Sequence, residues 1–409
     1  MSPEDNRRLT RVGPGTPMGE LFRRYWLPVM LSEELPQPDC APVRVRILCE
    51  DLVAFRATDG SIGLLEDACP HRGASLSYGR AEANGLRCIF HGWKFDVAGR
   101  CVDMPNVAAA DRFQMDARAY PTREVGGAVW AYMGPAAKMP PFREFGWIGL
   151  PEGQRGVWKV LQEANFLQGM ERDLDTVHTP THRGLKDDEA ARGDSLLQLV
   201  LRDYGAARME VERTAYGLRS VALQPAGDAH QYVRITPFVL PCFLFVWALA
   251  NSTDFRGFAF VPRDDETTWH FIHLYNAERA INPQYGVTRG LDRIDAQFRK
   301  LQNMDNRHMQ DRHAMATTSF NGVRGIIVED HMLAEIQGPL VDRTREHLVP
   351  TDAPVVALRT VLMDALDALD RGLDAPAIDE RIPFARIAGW DFRTANTSRW
   401  QDVRPAENA

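Results

Sequence analysis

Apolar and polar positions first alternate with period two where Val43, Val45 and Ile47 interleave with Arg44 and Arg46, the signature of a half-buried strand. Short apolar runs follow at Leu52 to Phe55 and Ile62 to Leu65, with the turn pair Asp59-Gly60 between them. The run Gly127 to Met133 closes this β-rich stretch, and the Pro-rich segment Pro135 to Pro141 marks a boundary. Upstream, Met18 to Pro28 suggests a short helix.

Beyond the boundary, Glu163 to Val177 reads as helix, and strands are expected at Leu197 to Asp203, Leu218 to Leu223, Tyr232 to Phe238 and Trp269 to Tyr275. The most apolar run, Phe238 to Ala250, is too short for a bilayer and contains Pro241, so it reads as buried strand. After Pro354, the residues Val355, Leu358, Val361, Leu362, Ala365, Leu366 and Leu369 recur at helical spacing and predict a long amphipathic helix closing the domain. The pattern is α+β: a helical lead-in over 1–28, a small antiparallel β domain over 29–140 and a larger mixed domain over 141–409. No internal repeat or low-complexity tract is evident. A length of 409 residues, more than one core usually organises, agrees with two domains.

Composition narrows the class. Hydrophobic residues at 44% and charged residues at 25% are those of a globular protein, and a net charge of -7 offers no attraction to a phosphate backbone. Neither nucleic acid nor membrane is an expected partner. The N-terminus lacks the apolar stretch of a secretory signal, so a cytoplasmic location is expected. Six cysteines, Cys40, Cys49, Cys69, Cys88, Cys101 and Cys242, are too sparse for a disulfide framework and suit metal binding better.

Two of them stand in paired motifs, Cys69-Pro70-His71 and Cys88-Ile89-Phe90-His91. Four N/S ligands could hold zinc. Zinc fingers pair Cys with Cys and His with His, however, whereas each motif here supplies one of each. That arrangement suits a Rieske two-iron two-sulfur centre, in which one iron takes both sulfurs and the other both nitrogens. The flanking residues, Cys69-Pro70-His71-Arg72-Gly73 and Cys88-Ile89-Phe90-His91-Gly92-Trp93, resemble the two cluster-binding loops of Rieske proteins.

The segment from Asn165 to His182 contains Asp175, His178 and His182. Two histidines plus one carboxylate form the facial triad of non-haem Fe(II) oxygenases. His308 and His313, near Asp305 and Asp311, are a rival pair, and spacing alone does not choose between them. The segment resembles the catalytic-helix motif of aromatic ring-hydroxylating oxygenases, in particular oxygenase components of the phthalate 4,5-dioxygenase type, and Val328-Glu329-Asp330 with Gly338 to Leu348 resembles that family's C-terminal pattern. The resemblance spans nearly the whole chain. One departure is the three-residue gap between His178 and His182, which contains Pro180 where the family usually has four residues. Proline disfavours α geometry at Thr179, so the helix is expected to end near His178.

The resemblance implies a catalytic domain with an antiparallel sheet flanked by helices (helix-grip, START-like), with His178, His182 and Asp330 as iron ligands. It implies Asp175 as the acidic bridge to a cluster histidine of a neighbouring subunit, hence a homotrimer or stacked trimers. Its cofactors would be a Rieske 2Fe-2S cluster and a mononuclear Fe(II). NADH would serve only a separate flavin/iron–sulfur reductase, since no dinucleotide fingerprint is apparent here. The implied reaction is attack of dioxygen on an aromatic carboxylate, phthalate-like, by cis-dihydroxylation. Monooxygenation or O-demethylation is the alternative, and a non-catalytic Rieske electron carrier a further one. A carboxylate substrate calls for arginine, with Arg202, Arg208 and Arg234 as candidates; Arg234 would be merely solvated if its neighbours Val233 and Ile235 face the core.

Overall fold

The computed structural model describes residues 1–178, 207–247 and 254–403. The chain divides into two compact units, one of Arg11–Phe142 with Val261–Asp265, the other of Met1–Thr10, Arg143–Phe260 and Glu266–Ala409.

The smaller unit is antiparallel β. Strands β1 (Trp26–Leu31), β2 (Val43–Ile47), β3 (Glu50–Arg56), β4 (Ile62–Glu66), β5 (Arg80–Glu82), β6 (Gly85–Arg87), β7 (Lys94–Phe95), β8 (Cys101–Asp103), β9 (Thr122–Val125) and β10 (Ala128–Tyr132) form three sheets, ordered β1-β10-β9, β2-β3-β4 and β5-β6-β7-β8. The period-two reading of residues 43–47 is therefore correct. The helix expected over Met18 to Pro28 is shorter: it runs Pro17–Phe22, capped by Thr16, and Trp26 onward is already strand because it pairs with β10.

The larger unit is built on an eight-stranded antiparallel sheet of β11 (Arg155–Gln162), β12 (Arg208–Thr214), β13 (Gly217–Pro225), β14 (His230–Val239), β15 (Phe243–Trp247), β16 (Phe255–Pro262), β17 (Thr268–Tyr275) and β18 (Trp390–Ala395). Seven strands run in the order β11-β17-β16-β15-β14-β13-β12. One edge of β14 is fully paired with β13, while the other is shared. β15 takes Phe238 and Val239, and β18 takes His230 to Ile235. The apolar run from Phe238 is thus two strands meeting at a turn around Pro241, not one. The strand expected at Leu197 to Asp203 lies outside the described residues.

Alternation gives this sheet two faces. Val233 and Ile235 pack with Val221, Leu223 and Trp400 on one, while His270 stacks on Phe260 on the other. Helix α1 (Phe166–Leu174) packs against both α2 (Ile326–Glu335) and α3 (Ala353–Asp370), and α1 and α3 pack against the sheet. Gly169 lets α1 approach β16, because a Cβ there would stand 2.7 Å from the Phe260 ring. The expected closing helix is α3, but β18 and a short helix at Trp400–Val403 follow it. Among the described residues, no helix is long and apolar enough to cross a membrane.

Helix α1 is shorter at both ends than the expected 163–177. Residues 155–162 are drawn into the sheet by pairing with β17, and Asn165 caps the helix by accepting from the Leu167 N–H at 3.1 Å. At the far end the Asp175 side chain accepts from the Val177 N–H at 2.8 Å, a local bond that competes with helix continuation. Midway along the helix, Glu171 is gripped from two directions: Arg343 donates from Nε at 3.0 Å and Nη2 at 2.8 Å, and Arg359 from Nε at 2.6 Å. Burial alone would raise the Glu171 carboxyl, but Arg343 and then Arg359 outweigh it and hold the group below its ordinary value. Glu171→Gln leaves two buried guanidinium groups under-compensated and should cost about 3–5 kcal/mol, seen as a lower urea midpoint at pH 7. The wild-type advantage should be present above pH ~4.3 and vanish as pH falls through the lowered folded value. Equal midpoints at pH 7 would show the grip to be dispensable.

Candidate metal centres and active site

In the smaller unit, Cys69 and Cys88 are each buried and each opens a loop of the same construction. The Cys69 N–H donates to the Ala74 carbonyl at 2.8 Å and the Gly73 N–H to the Cys69 carbonyl at 2.7 Å. In the second loop the Cys88 N–H donates to Trp93 at 2.8 Å and the Gly92 N–H to Cys88 at 3.0 Å. Both glycines adopt left-handed backbone, φ 74° and 77°, which only glycine takes without strain. The loops bring the His71 and His91 rings edge to face at 4.5 Å, and His71 stacks on Trp93 at 4.4 Å. Trp93 is itself fixed by a 2.8 Å bond from Nε1 to Asn106.

This donor set fits the cluster. His91 Nδ1 is buried without a hydrogen-bond partner, as an imidazole nitrogen reserved for a metal would be. Desolvation, then His71 and Arg72, lower the His91 imidazole and favour the neutral, ligating form. Burial pushes the Cys69 thiol up to about 11, so a thiolate there needs a metal to stabilise it. Among the described residues no three His, Cys, Asp or Glu side chains converge on one point. The Cys69 and Cys88 side chains interact with each other, and the His71 and His91 rings with each other, the two-sulfur and two-nitrogen pairing that a Rieske cluster takes.

In the larger unit a cavity collects Asp175 and His178 from the end of α1, Asp330 from α2, Arg234 and Thr236 from β14, and Arg256 and Phe258 from β16. Asp175 Oδ2 lies 3.6 Å from His178 Nδ1; Asp175 is the C-cap that ends α1, and the Asp175–Val177 turn separates α1 from His178. His182 and Arg202 lie outside the described residues. Asp330 is buried on α2, and its neighbour His331 meets His270 of β17 at 2.9 Å, Nε2 to Nδ1, tying α2 to the sheet. Burial lowers both of these imidazoles well below their ordinary value, so the pair is neutral. Asp173, whose side chain is 7% exposed, also lines the cavity; Arg172 holds its Oδ1, while its Oδ2 has no hydrogen-bond partner.

The structure separates the other candidates. Arg234 is not simply solvated: Val233 and Ile235 do face a core, but β14 is covered on both sides and Arg234 points into the cavity. Arg208 is on the surface, its side chain 72% exposed and paired with Glu210 at 2.9 Å, so it is no part of the site. His308 is buried beside Glu335 while His313 is exposed, so the rival pair does not share a site. Sequence reasoning missed Arg256 and Asp173. The signal for Arg256 was an arginine inside the apolar strand Phe255 to Val261, where a buried charge requires a purpose.

Comparison with known proteins agrees with this layout. Residues 25–121 match the model of the Rieske [2Fe-2S] domain and residues 131–408 that of the LigXa C-terminal domain like family. The chain is 37% identical to the phthalate 4,5-dioxygenase oxygenase subunit of Pseudomonas putida, covering 99% of this chain and 95% of that one. It is 34% identical to the 3-chlorobenzoate-3,4-dioxygenase oxygenase subunit of Comamonas testosteroni, covering 97% and 96%. In fold it is similar to the crystal structure of dicamba monooxygenase bound to dicamba, with a TM-score of 0.59 at 19% identity, covering 86% of this chain and 98% of that one. An antiparallel Rieske domain joined to a larger sheet-and-helix catalytic domain defines the oxygenase subunit of a cluster-dependent oxygenase. The chain belongs to the Rieske non-haem iron oxygenase family.

The two loops differ in what surrounds their glycines. A Cβ on Gly92 would stand 2.7 Å from Pro105 Cγ, whereas one on Gly73 meets nothing within 4 Å. Both Gly→Ala substitutions carry left-handed strain of about 1–2 kcal/mol, and Gly92→Ala adds the clash. Iron and sulfide per chain should therefore fall further in Gly92→Ala than in Gly73→Ala; equal cluster content in the two variants would contradict the packing.

Proposed function

We infer that this subunit uses a mononuclear iron, fed by the Rieske cluster, to oxygenate an aromatic carboxylate of the phthalate type. The observation that carries the reading is the cavity in which His178 and Asp330 stand with two arginines, Arg234 and Arg256. Cys69, Cys88, His71 and His91 would hold the cluster, and His178, His182 and Asp330 the iron. When bound, these centres supply reductive activation of dioxygen with electrons drawn from NADH through a separate flavin/iron–sulfur reductase.

The chain's own residues divide the remaining tasks. Arg234 and Arg256 present planar forks to the substrate carboxylate, and Phe258 and Val246 give the ring an apolar wall. Two forks suit a dicarboxylate, which agrees with the name of the Pseudomonas putida relative. Asp175 orients the His178 imidazole and serves as the bridge toward a neighbouring subunit's cluster. Burial, only partly offset by Arg172, raises the Asp173 carboxyl at the cavity wall. Ile89 and Phe90, 62% and 56% exposed beside His91, give the cluster edge an apolar docking face, as a cytoplasmic homotrimer or stacked trimers would use. Within this reading residues 29–140 carry the cluster and 141–409 the chemistry.

His178→Ala, His182→Ala and Asp330→Ala should retain the electron paramagnetic resonance signal of the reduced Rieske cluster while losing mononuclear iron and turnover. Asp175→Asn should keep both metals yet slow cluster reoxidation in single-turnover stopped flow. A metal-replete Asp175→Asn trimer reoxidising at the wild-type rate would remove Asp175 from the electron path. Loss of the cluster signal in the three alanine variants would mean that these residues are not a separate site.

Arg234→Gln and Arg256→Gln should each weaken phthalate binding by about 1.5–3 kcal/mol with metals unchanged, measured by calorimetry. Unaltered affinity in both would exclude them as carboxylate ligands. Labelled dioxygen then separates cis-dihydroxylation, which places two labelled atoms in the product, from monooxygenation or O-demethylation.

A further inference from the structure

The strand that carries Arg256 has a second cavity on its reverse side. Arg256 and Phe258 line the candidate active site, and by alternation Phe255 and Gly257 point the other way. Trp147 closes over Gly257, where a Cβ would stand 2.4 Å from its ring. Next to it, Phe255 lines a cavity of about 540 Å³ together with Tyr275, Trp390 and Arg386. That size is within the roughly 300–1,000 Å³ usual for small-molecule sites.

Its walls are ordered. Phe255 lies nearly parallel to Tyr275 at 5.5 Å and meets Trp390 edge to face at 5.3 Å. Small residues, Ala385 and Ala388 among them, leave the space between the walls open. The charged group in the lining is Arg386, which is exposed and makes no ion pair or side-chain hydrogen bond among the described residues. Three aromatic faces select a flat ring, and one uncommitted guanidinium selects one anionic group. An aliphatic acid would forgo the stacking, and a neutral arene would leave the arginine unused.

We propose that this reverse-face cavity is a second binding site, for an aromatic monocarboxylate, separate from the iron pocket. Phe255 and Arg256 are adjacent on β16, so an occupant of the second site rests against the residue next to a substrate-binding arginine. The second site stands independently of the reading of the first.

The test uses the cluster- and iron-loaded protein and benzoate as probe. In the Arg234→Gln/Arg256→Gln double variant, which removes both arginines of the iron pocket, benzoate should still bind one per chain with Kd below about 1 mM, quenching tryptophan fluorescence. Adding Arg386→Gln should weaken that binding roughly tenfold or more, and Ala385→Trp, at an exposed position lining the cavity, should abolish it. Benzyl alcohol, equally flat but uncharged, should bind more weakly than benzoate. No saturable benzoate binding in the double variant, or binding unaltered by both Arg386→Gln and Ala385→Trp, would overturn the proposal. Binding that appears in the wild type and disappears in the double variant would also overturn it, because the probe would then be reporting the iron pocket alone.

Discussion

The position of helix α1 is set by one buried carboxylate. Glu171 draws Arg343, from the segment after α2, and Arg359, from α3, onto a single side chain. The second arginine is returned to the periphery by Glu346, which accepts from Arg359 at 2.7 and 2.9 Å. Two stretches remote in sequence from α1 are thereby fixed around the helix whose last turn holds Asp173 and which leads into Asp175 and His178. Desolvating four charges is costly, and the return lies less in net stability than in geometry. Asp330 is held in a comparable way, since its helix is pinned to β17 by the His331–His270 contact and, at its far end, to β11 through Lys300, whose ammonium meets Glu335 at 2.6 Å and donates to the Leu161 carbonyl at 2.9 Å.

What could be read from the sequence was local. The two Cys/His motifs are complete within a few residues each, and their loops close through bonds among those same residues, so spacing alone carried the geometry. The strands at 43–47, 62–66 and 268–275 were legible for the same reason. What was not legible depended on partners far away. Residues 155–162 carry no strong strand pattern and become β11 because β17 lies beside them. The side of the sheet on which Arg234 emerges depends on the side chains of Trp400, Trp390 and Phe392 packing against Val233 and Ile235 on the opposite face. Arg256 escaped notice because no strand was expected over Phe255 to Pro262, where the sheet is covered on both sides.

That double coverage is also what lets one sheet serve different purposes on its two faces. Along β16, neighbouring residues point to different cavities, so the character of each can change without altering the other's lining. Along β14 the same alternation separates Arg234 and Thr236 from the apolar packing of Val233 and Ile235. Rigid central strands, rather than loops, thus position the cations of the site, and two successive Cα atoms are enough to switch from one environment to the other.

The shared edge of β14 has a consequence during synthesis. From His230 to Ile235 its backbone hydrogen-bonding groups are satisfied by β18, which the ribosome makes long after the rest of the sheet. Until residues 390–395 emerge, an apolar central strand displays an open edge, the geometry that templates pairing between nascent chains. Completion of the sheet therefore waits for β18, the last of its strands in chain order, and the edge of β14 from His230 to Ile235 stays unpaired until then.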